Sequence, residues 1–177
     1  MAVATRKRGV RASPRRHSAD ERRELVLEAA RREFAALGLG GATGEGLSYR
    51  AGISHPYLLR LFGSKRELFL EVLERLFDDL VAAARADESL REALGEDGPA
   101  LLLQCFAACG VDEVRLAVQR RMGELNEALD RTGGRGSGAD AVLAGLLLDG
   151  AAEAMRLEAL ASREPWARRL LDAADSS

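Results

Sequence analysis

The sequence contains few residues of the types that build disulfide or metal frameworks. Its 177 residues include two cysteines, two histidines and one tryptophan. Two cysteines cannot form a scaffold of several disulfides, and the few cysteines and histidines do not have the spacing of a zinc site. We therefore expect neither a bound metal nor a cofactor.

Long apolar runs and strand-like patterns are also missing. The longest apolar stretch runs from Ala141 to Leu148, well below the ~18 residues of a membrane span. No apolar segment follows the N-terminal charges, so no secretory signal is predicted. We expect a cytoplasmic protein that makes no membrane contact. No segment alternates with period two over the length of a strand, which predicts an all-α fold.

The charge is divided unevenly along the chain. Residues 1–75 carry 15 Lys and Arg against 9 Asp and Glu, whereas residues 76–177 carry 11 against 19. The net charges of these parts are +6 and −8, which sum to the overall −2. This asymmetry indicates that the first part is the one that meets a polyanion.

Residues 1–17 are predicted to form a disordered basic arm. Its cations are Arg6, Lys7, Arg8, Arg11, Arg15 and Arg16. No acidic residue precedes Asp20. By composition alone, a solvated tail and an arm that contacts nucleic acid are equally compatible with this stretch.

A long first helix and a short second helix are predicted next. The pattern of a capping box at Ser18 and Glu21 begins the first helix, which Gly38 ends at about residue 37. Thr43 can cap the second helix, which extends to Arg50. Both helices would bury one apolar face.

A third helix follows after a turn centred on glycine. Gly52 can supply the left-handed backbone of a sharp reversal, and Ser54 can cap a helix that ends at Phe62. Pro56 lies in the first turn, where a missing N–H costs nothing. Two short helices joined by a three-residue turn predict a helix-turn-helix.

A fourth helix is predicted from Lys65 to about Ala86, opened by a second capping box at Ser64 and Glu67. Lys65 and Arg66 lie in its first turn, where the helix dipole disfavours positive charge. A docked phosphate would reverse that effect, so Lys65 is a candidate phosphate contact.

The remaining sequence predicts helices but has weaker motifs. The predicted helices cover residues 89–94, 99–109, 112–131, 139–161 and 165–174. The glycine-rich segment 133–138 lacks the lysine and the flanking strand of a phosphate-binding loop, which favours a linker.

Residues 23–72 resemble the DNA-binding domain of the TetR family of transcriptional regulators. The matching positions are Leu27-Glu28-Ala29-Ala30, Phe34, Gly38, Thr43, Ala51-Gly52-Ile53-Ser54, Leu58, Phe62, Ser64-Lys65 and Leu68. Pro56-Tyr57-Leu58 and Glu164-Pro165-Trp166 also resemble one branch of that family. The middle of the chain is similar only in being helical.

The resemblance implies an all-α architecture with an N-terminal helix-turn-helix domain (18–64) and a connecting helix (65–86). Residues 87–177 would then form a C-terminal domain for effector binding and dimerisation. It further implies a homodimeric repressor that a small-molecule ligand, not identified by the sequence, releases from a palindromic operator in double-stranded DNA.

Carried over to this sequence, the resemblance implies contacts from the third helix, its flanks and the arm. The DNA-binding candidates are Thr43, Ser54, His55, Pro56, Tyr57, Arg60 and Lys65, with Arg6, Arg8, Arg15 and Arg16 in the arm. Arg60 is the expected base-reading residue, since arginine pairs bidentately with guanine. Candidate ligand contacts are Leu102, Phe106, Met122 and Leu147, and candidate dimer contacts are Leu146, Met155, Trp166 and Leu170.

Several positions depart from the family pattern. Gly44 and Gly46 replace residues that favour a helix, and each should cost the second helix about 1 kcal/mol relative to alanine. Leu59 stands where many members have a tyrosine that contacts phosphate, a role that Tyr57 could take. Ser48 replaces a small core alanine.

Two other functions are weighed against the leading one. A helical DNA-binding protein without a ligand pocket is compatible with the short C-terminal part. An enzyme is disfavoured, because no carboxylate pair or nucleophile–base set is present. Cys105 and Cys109 lie four residues apart and suggest a redox sensor, but their apolar surroundings favour core packing.

Overall fold

The computed structural model describes residues 18–132 and 139–175, and these residues contain helices and no strand. The helices, with α labels in chain order, are α1 (Ala19–Gly41), α2 (Gly44–Arg50), α3 (His55–Phe62), α4 (Lys65–Ala86), α5 (Leu90–Leu94), α6 (Gly98–Ala107), α7 (Asp112–Thr132), α8 (Ala139–Ala154), α9 (Leu157–Leu160) and α10 (Pro165–Asp175). The all-α prediction is confirmed for this part of the chain. None of its helices is long and apolar enough to cross a membrane. The predicted arm and the linker 133–138 lie outside the described residues.

Helix α1 begins and breaks where the sequence predicts. The Ser18 hydroxyl accepts a hydrogen bond from Glu21 N, and the Glu21 carboxylate accepts one from Ser18 N. Gly38 has φ +65°, so it interrupts the helix, and one further turn runs to Gly41. The Gln104 amide of α6 covers Gly38 and lies where a Cβ atom would be. A glycine is therefore favoured here by the backbone conformation, whereas only the flexible end of the Gln104 side chain occupies the space of a Cβ atom.

Helices α1 and α4 form the centre of the core. The rings of Phe34 and Phe69 meet edge to face, with centroids 4.9 Å apart. Leu73, Leu76 and other apolar residues of α4 are fully buried, because they recur at helical spacing against α1 and α7. The connecting helix thus belongs to a core that α6, α7 and α8 also share.

An ion-pair network crosses the contact between α4 and α7, a contact we call the α4–α7 seam. Arg121 is only 8% exposed, and its guanidinium donates to Asp78 Oδ1 and to Glu124 Oε2, both at 2.6 Å. Glu74 lies 3.6 Å from Arg121 Nε and also pairs with Arg120. The seam therefore surrounds one buried cation with three carboxylates.

The predicted single helix over 139–161 is wrong. Helix α8 ends at Ala154, and Arg156 takes a left-handed conformation with φ +52° before the short α9 begins. The break carries Leu157 into a small apolar cluster with Ala152 and Ala167. Burial of these side chains outweighs the local helix preference, and neither glycine nor proline marks the break in the sequence.

Candidate nucleic-acid interface

Helix α3 lies between two glycines that both have positive φ, Gly52 and Gly63. Its inner face buries Leu58 and Phe62, and Leu61 packs partly against the same core, while Pro56, Leu59 and Arg60 are exposed. Ser54 occupies the N-cap position as predicted, but its side chain makes no capping hydrogen bond. The Ser54 hydroxyl is therefore not engaged in the role that the sequence assigned to it.

His55 packs against helix α2 in a way that explains an unusual glycine. A Cβ atom on Gly44 would lie 2.6 Å from His55 Nε2, which is too close. His55 Nδ1 also lies 3.4 Å from Glu45 Oε1. Gly44 therefore provides the space for the imidazole. This benefit offsets part of the cost of a glycine in a helix.

Gly46 has a similar but milder role. A Cβ atom there would lie 3.1 Å from Glu33 Oε1 and 3.1 Å from Thr43 Oγ1. Glu33 is buried, and its other carboxylate oxygen lies 2.5 Å from Arg50 Nε. This pair joins α1 to α2 and was not predicted from the sequence. The sequence signal for this pair is that Glu33 interrupts the apolar spacing on the buried face of α1.

Thr43 and Lys65 are both held by hydrogen bonds within the protein. Thr43 Oγ1 accepts a hydrogen bond of 3.0 Å from Gly46 N, which confirms the predicted cap. Lys65 Nζ donates to Ala42 O at 2.7 Å, and Arg66 pairs with Glu113 at 3.4 Å. Both cations at the start of α4 thus have partners within the chain, while the phosphate contact predicted for Lys65 stays a prediction. The Ser64 hydroxyl accepts from Glu67 N as predicted.

Three side chains meet at the outer face of α3. The Arg60 guanidinium carbon lies 4.7 Å from the centroid of the Tyr57 ring, and that of Arg22 lies 5.9 Å from it. Both distances are within the range of cation–π attraction. Arg60 and Leu59 are exposed and Tyr57 is half-buried, while Pro56 is exposed one residue before it. Arg22 comes from α1 and was not predicted as a site residue.

Other sequence-predicted residues are dispersed. Arg6, Arg8, Arg15 and Arg16 lie outside the described residues. Among the residues predicted for a ligand, Leu102 is buried, Phe106 and Met122 are half-buried, and Leu147 is 40% exposed. The described C-terminal part instead has an open cleft of about 550 Å³. Its lining includes Arg91, Pro99, Asp149, Glu153, Arg156 and Leu171.

The residues predicted for a dimer interface fall into two groups. Leu146 is buried in the protomer's own core, and its predicted place in the interface stays a prediction. Met155 and Trp166 are 48% and 41% exposed, and Leu170 is half-buried against the small apolar cluster around Leu157. The exposed pair remains available to a second copy.

The two cysteines have the surroundings of core thiols. Burial raises the pKa of the Cys105 thiol to about 12, and burial also raises the pKa of Cys109. Cys109 Sγ donates a weak hydrogen bond of 3.4 Å to Cys105 O. A raised pKa suppresses the reactive thiolate, which argues against the redox-sensor interpretation. No group of three or more potential metal ligands occurs in the described part of the chain.

Comparison with known proteins supports the same helix-turn-helix. The sequence pattern described as "Bacterial regulatory proteins, tetR family" matches residues 26–72. The HTH-type transcriptional activator FasR of Mycolicibacterium smegmatis is 44% identical over 66 residues, which are 37% of this chain and 30% of FasR. The HTH-type transcriptional repressor NicS of Pseudomonas putida is 35% identical over 99 residues, 56% of this chain and 43% of NicS. The matched segments thus span less than half of either relative.

A solved structure extends the likeness to the whole fold. A TetR-family transcriptional regulator from Rhodococcus sp. superposes with a TM-score of 0.55 at 19% identity, covering 88% of this chain and 98% of that one. Together the similar proteins are transcriptional regulators and not enzymes, as expected from the absence of catalytic motifs. The helix-turn-helix segment, residues 26–72, thus matches the TetR family of transcriptional regulators.

Proposed function

We propose that the chain binds a palindromic operator in double-stranded DNA as a cytoplasmic homodimer and represses transcription. The observation that carries this proposal is the outer face of α3, where Arg60 is exposed beside Tyr57 and has no carboxylate partner among the described residues. A cation left unpaired on a recognition helix is suited to a base edge or a phosphate.

The dimer is supported by apolar side chains at the C-terminal end. The exposed side chains are Leu147 on α8, Met155 between α8 and α9, Leu160 on α9 and Trp166 on α10. Large apolar side chains exposed on neighbouring helices are typical of a protein interface. Two copies related by a two-fold axis would place their α3 helices to read half-sites about 34–36 Å apart.

Repression is proposed because it needs the fewest contacts. A protein bound at an operator blocks transcription by occupancy alone, whereas activation requires an additional surface for the transcription machinery. One similar protein is named as an activator and the other as a repressor, so relatives alone do not decide the direction. A reporter gene behind the selected operator gives a direct measurement, and higher expression with the protein present would contradict repression.

Release by a small-molecule effector is the finer part of the proposal. The C-terminal cleft of about 550 Å³ has the size of known small-molecule sites, and it contains both acidic and basic side chains. The alternative is a regulator without an effector. It is compatible with the close contact of α6 with α8, where a Cβ atom on Gly150 would lie 2.6 Å from Pro99 O.

The first experiment is selection of bound sequences from a random DNA library, with sedimentation of the resulting complex. Enrichment of a palindrome bound by two protomers is the expected result. Arg60→Ala should then bind the selected operator at least tenfold more weakly and accept other bases at one position per half-site. Failure of the folded wild-type protein to enrich any sequence would contradict the proposal.

A further inference from the structure

Helix α1 brings a cation to the recognition helix from outside the helix-turn-helix. Arg22 is exposed in the second turn of α1, and its guanidinium carbon lies 5.9 Å from the centroid of the Tyr57 ring. The Arg60 guanidinium lies over the same ring at 4.7 Å. One aromatic side chain therefore holds two arginines that are 38 positions apart in the sequence.

The neighbouring Arg23 has a structural role, and its contacts differ from those of Arg22. Its guanidinium makes a bidentate pair with the carboxylate of Glu71, donates to Leu61 O at 2.8 Å and lies 4.3 Å from the Phe62 centroid. Every one of these contacts ties α1 to α3 and α4. Arg22 has no ion pair with any residue in 18–132 or 139–175, although it is only one position away.

The two cations carry like charges beside the same Tyr57 ring, so they repel each other. The ring attracts each guanidinium, but it does not neutralise either charge. An anion placed between or beside the guanidiniums would remove the repulsion, and phosphate matches the planar donor fork of arginine. The cluster of Arg22, Tyr57 and Arg60 therefore has the chemistry of a site for the nucleic-acid backbone beside a base-reading residue.

We propose that Arg22 is a DNA phosphate contact supplied by α1, and that Tyr57 is a positioning residue that sets Arg22 and Arg60 at a fixed separation. This inference rests on the proposed DNA-binding function and extends it. The backbone contact fixes where α3 lies along the groove, and the ring transmits that position to the base-reading arginine. The resemblance implies a direct DNA contact for Tyr57; in this proposal its ring acts through the two arginines.

The test measures salt dependence on a duplex of random sequence, so that it does not require an operator. Arg22→Ala should lower affinity about five- to tenfold per bound protomer at ~0.1 M salt and reduce the slope of log K against log [salt] by about one. The matched control is Arg85→Ala, which removes an exposed arginine near the far end of α4 and should leave both quantities almost unchanged. Equal effects of the two variants would overturn the assignment of Arg22.

The role of the ring is tested by combining substitutions. Tyr57→Phe keeps the ring, so Arg22→Ala should lower the DNA affinity of this variant as much as it does in the wild-type protein. In the Tyr57→Leu protein, the loss of affinity caused by Arg22→Ala should be at least twofold smaller. An unchanged effect of Arg22→Ala in the Tyr57→Leu protein would overturn the positioning role. If the wild-type protein binds the random duplex but selects no operator, the proposed function fails while the Arg22 contact can still be measured. The two failures are therefore distinguishable.

Discussion

The arginines at the α4–α7 seam and those at the outer face of α3 have opposite surroundings. At the seam, Arg121 is buried and has Glu74, Asp78 and Glu124 around it. At α3, Arg22 and Arg60 are exposed and share an aromatic ring instead of a carboxylate. The same residue type, abundant throughout this chain, is thus used in two ways.

This difference shows why arginine content alone predicts little here. A guanidinium surrounded by carboxylates has its donors satisfied inside the protein, so its removal should affect folding. A guanidinium without such partners contributes little to folding and keeps its donors for a ligand. The presence of carboxylate partners therefore distinguishes structural arginines from functional ones better than their position in the sequence does.

The largest expected effect is that of Arg121→Ala, which should lower the free energy of unfolding by about 2 kcal/mol. This is below the ~3–5 kcal/mol typical of a fully buried pair, because the three carboxylates remain partly solvated. Urea denaturation of the purified variant measures it. The control is Arg120→Ala, an exposed member of the same seam, which should cost less than about 0.5 kcal/mol.

The distinction between structural arginines at the seam and functional arginines at α3 would be contradicted if Arg121→Ala left stability unchanged but abolished DNA binding. The seam would then carry a functional signal between the two parts of the chain instead of holding them together. We expect the folded fraction of the Arg121→Ala protein to bind DNA with wild-type affinity.

Gly44→Ala should raise the free energy of unfolding by up to about 1 kcal/mol, and the size of the gain should depend on the side chain of His55. Alanine favours a helix over glycine by about 1 kcal/mol, but its Cβ would meet His55 Nε2 at 2.6 Å. Gly44→Ala should therefore stabilise a His55→Ala protein by about 1 kcal/mol and the wild-type protein by clearly less. Thermal or urea unfolding of the four proteins in this cycle measures the coupling; equal gains in both backgrounds would show that the imidazole yields without cost.

A smaller effect is expected at the outer face of α3. Arg22→Ala and Arg60→Ala should each change the free energy of unfolding by no more than about 0.5 kcal/mol, because neither guanidinium has a carboxylate partner among the described residues. The same urea titrations measure this. A loss as large as that of Arg121→Ala would erase the distinction between the two groups of arginines.

The N-terminal part could be predicted closely because its helix boundaries depend on local chemistry. Ser18, Thr43 and Ser64 cap helices through their own hydroxyl groups, and Gly38 and Gly52 adopt the positive φ that marks their turns. Each of these signals acts within four residues of its effect. The amino-acid sequence alone therefore suffices to predict these helix boundaries.

The rest depends on contacts between distant residues, which no local pattern specifies. The break of α8 at Arg156 follows from burial of Leu157 against Ala167, and the partner of Lys65 is a carbonyl 23 positions away. Arg22 was missed for the same reason, because its relation to Tyr57 exists only after α1 and α3 have packed. Binding-site residues are the most affected, since a site is defined by such distant contacts.

The smallest expected effect belongs to an exposed ion pair that joins α1 to α4. Arg75 Nη2 lies 2.6 Å from Glu24 Oε1, and this hydrogen bond lowers the pKa of Glu24 below its usual 4.5. A carboxyl group with a lowered pKa in the folded state stabilises the protein above its unfolded pKa, and this contribution is lost as pH falls through the lowered value. Glu24→Gln should therefore be slightly less stable than wild type at pH 7 and equal to it near pH 2. Urea midpoints at the two pH values measure the difference, which should also vanish in ~1 M salt because both side chains are in contact with solvent. A difference that persists at low pH or high salt would mean that Glu24 acts through packing, and the pair would then belong with the structural arginines of the seam.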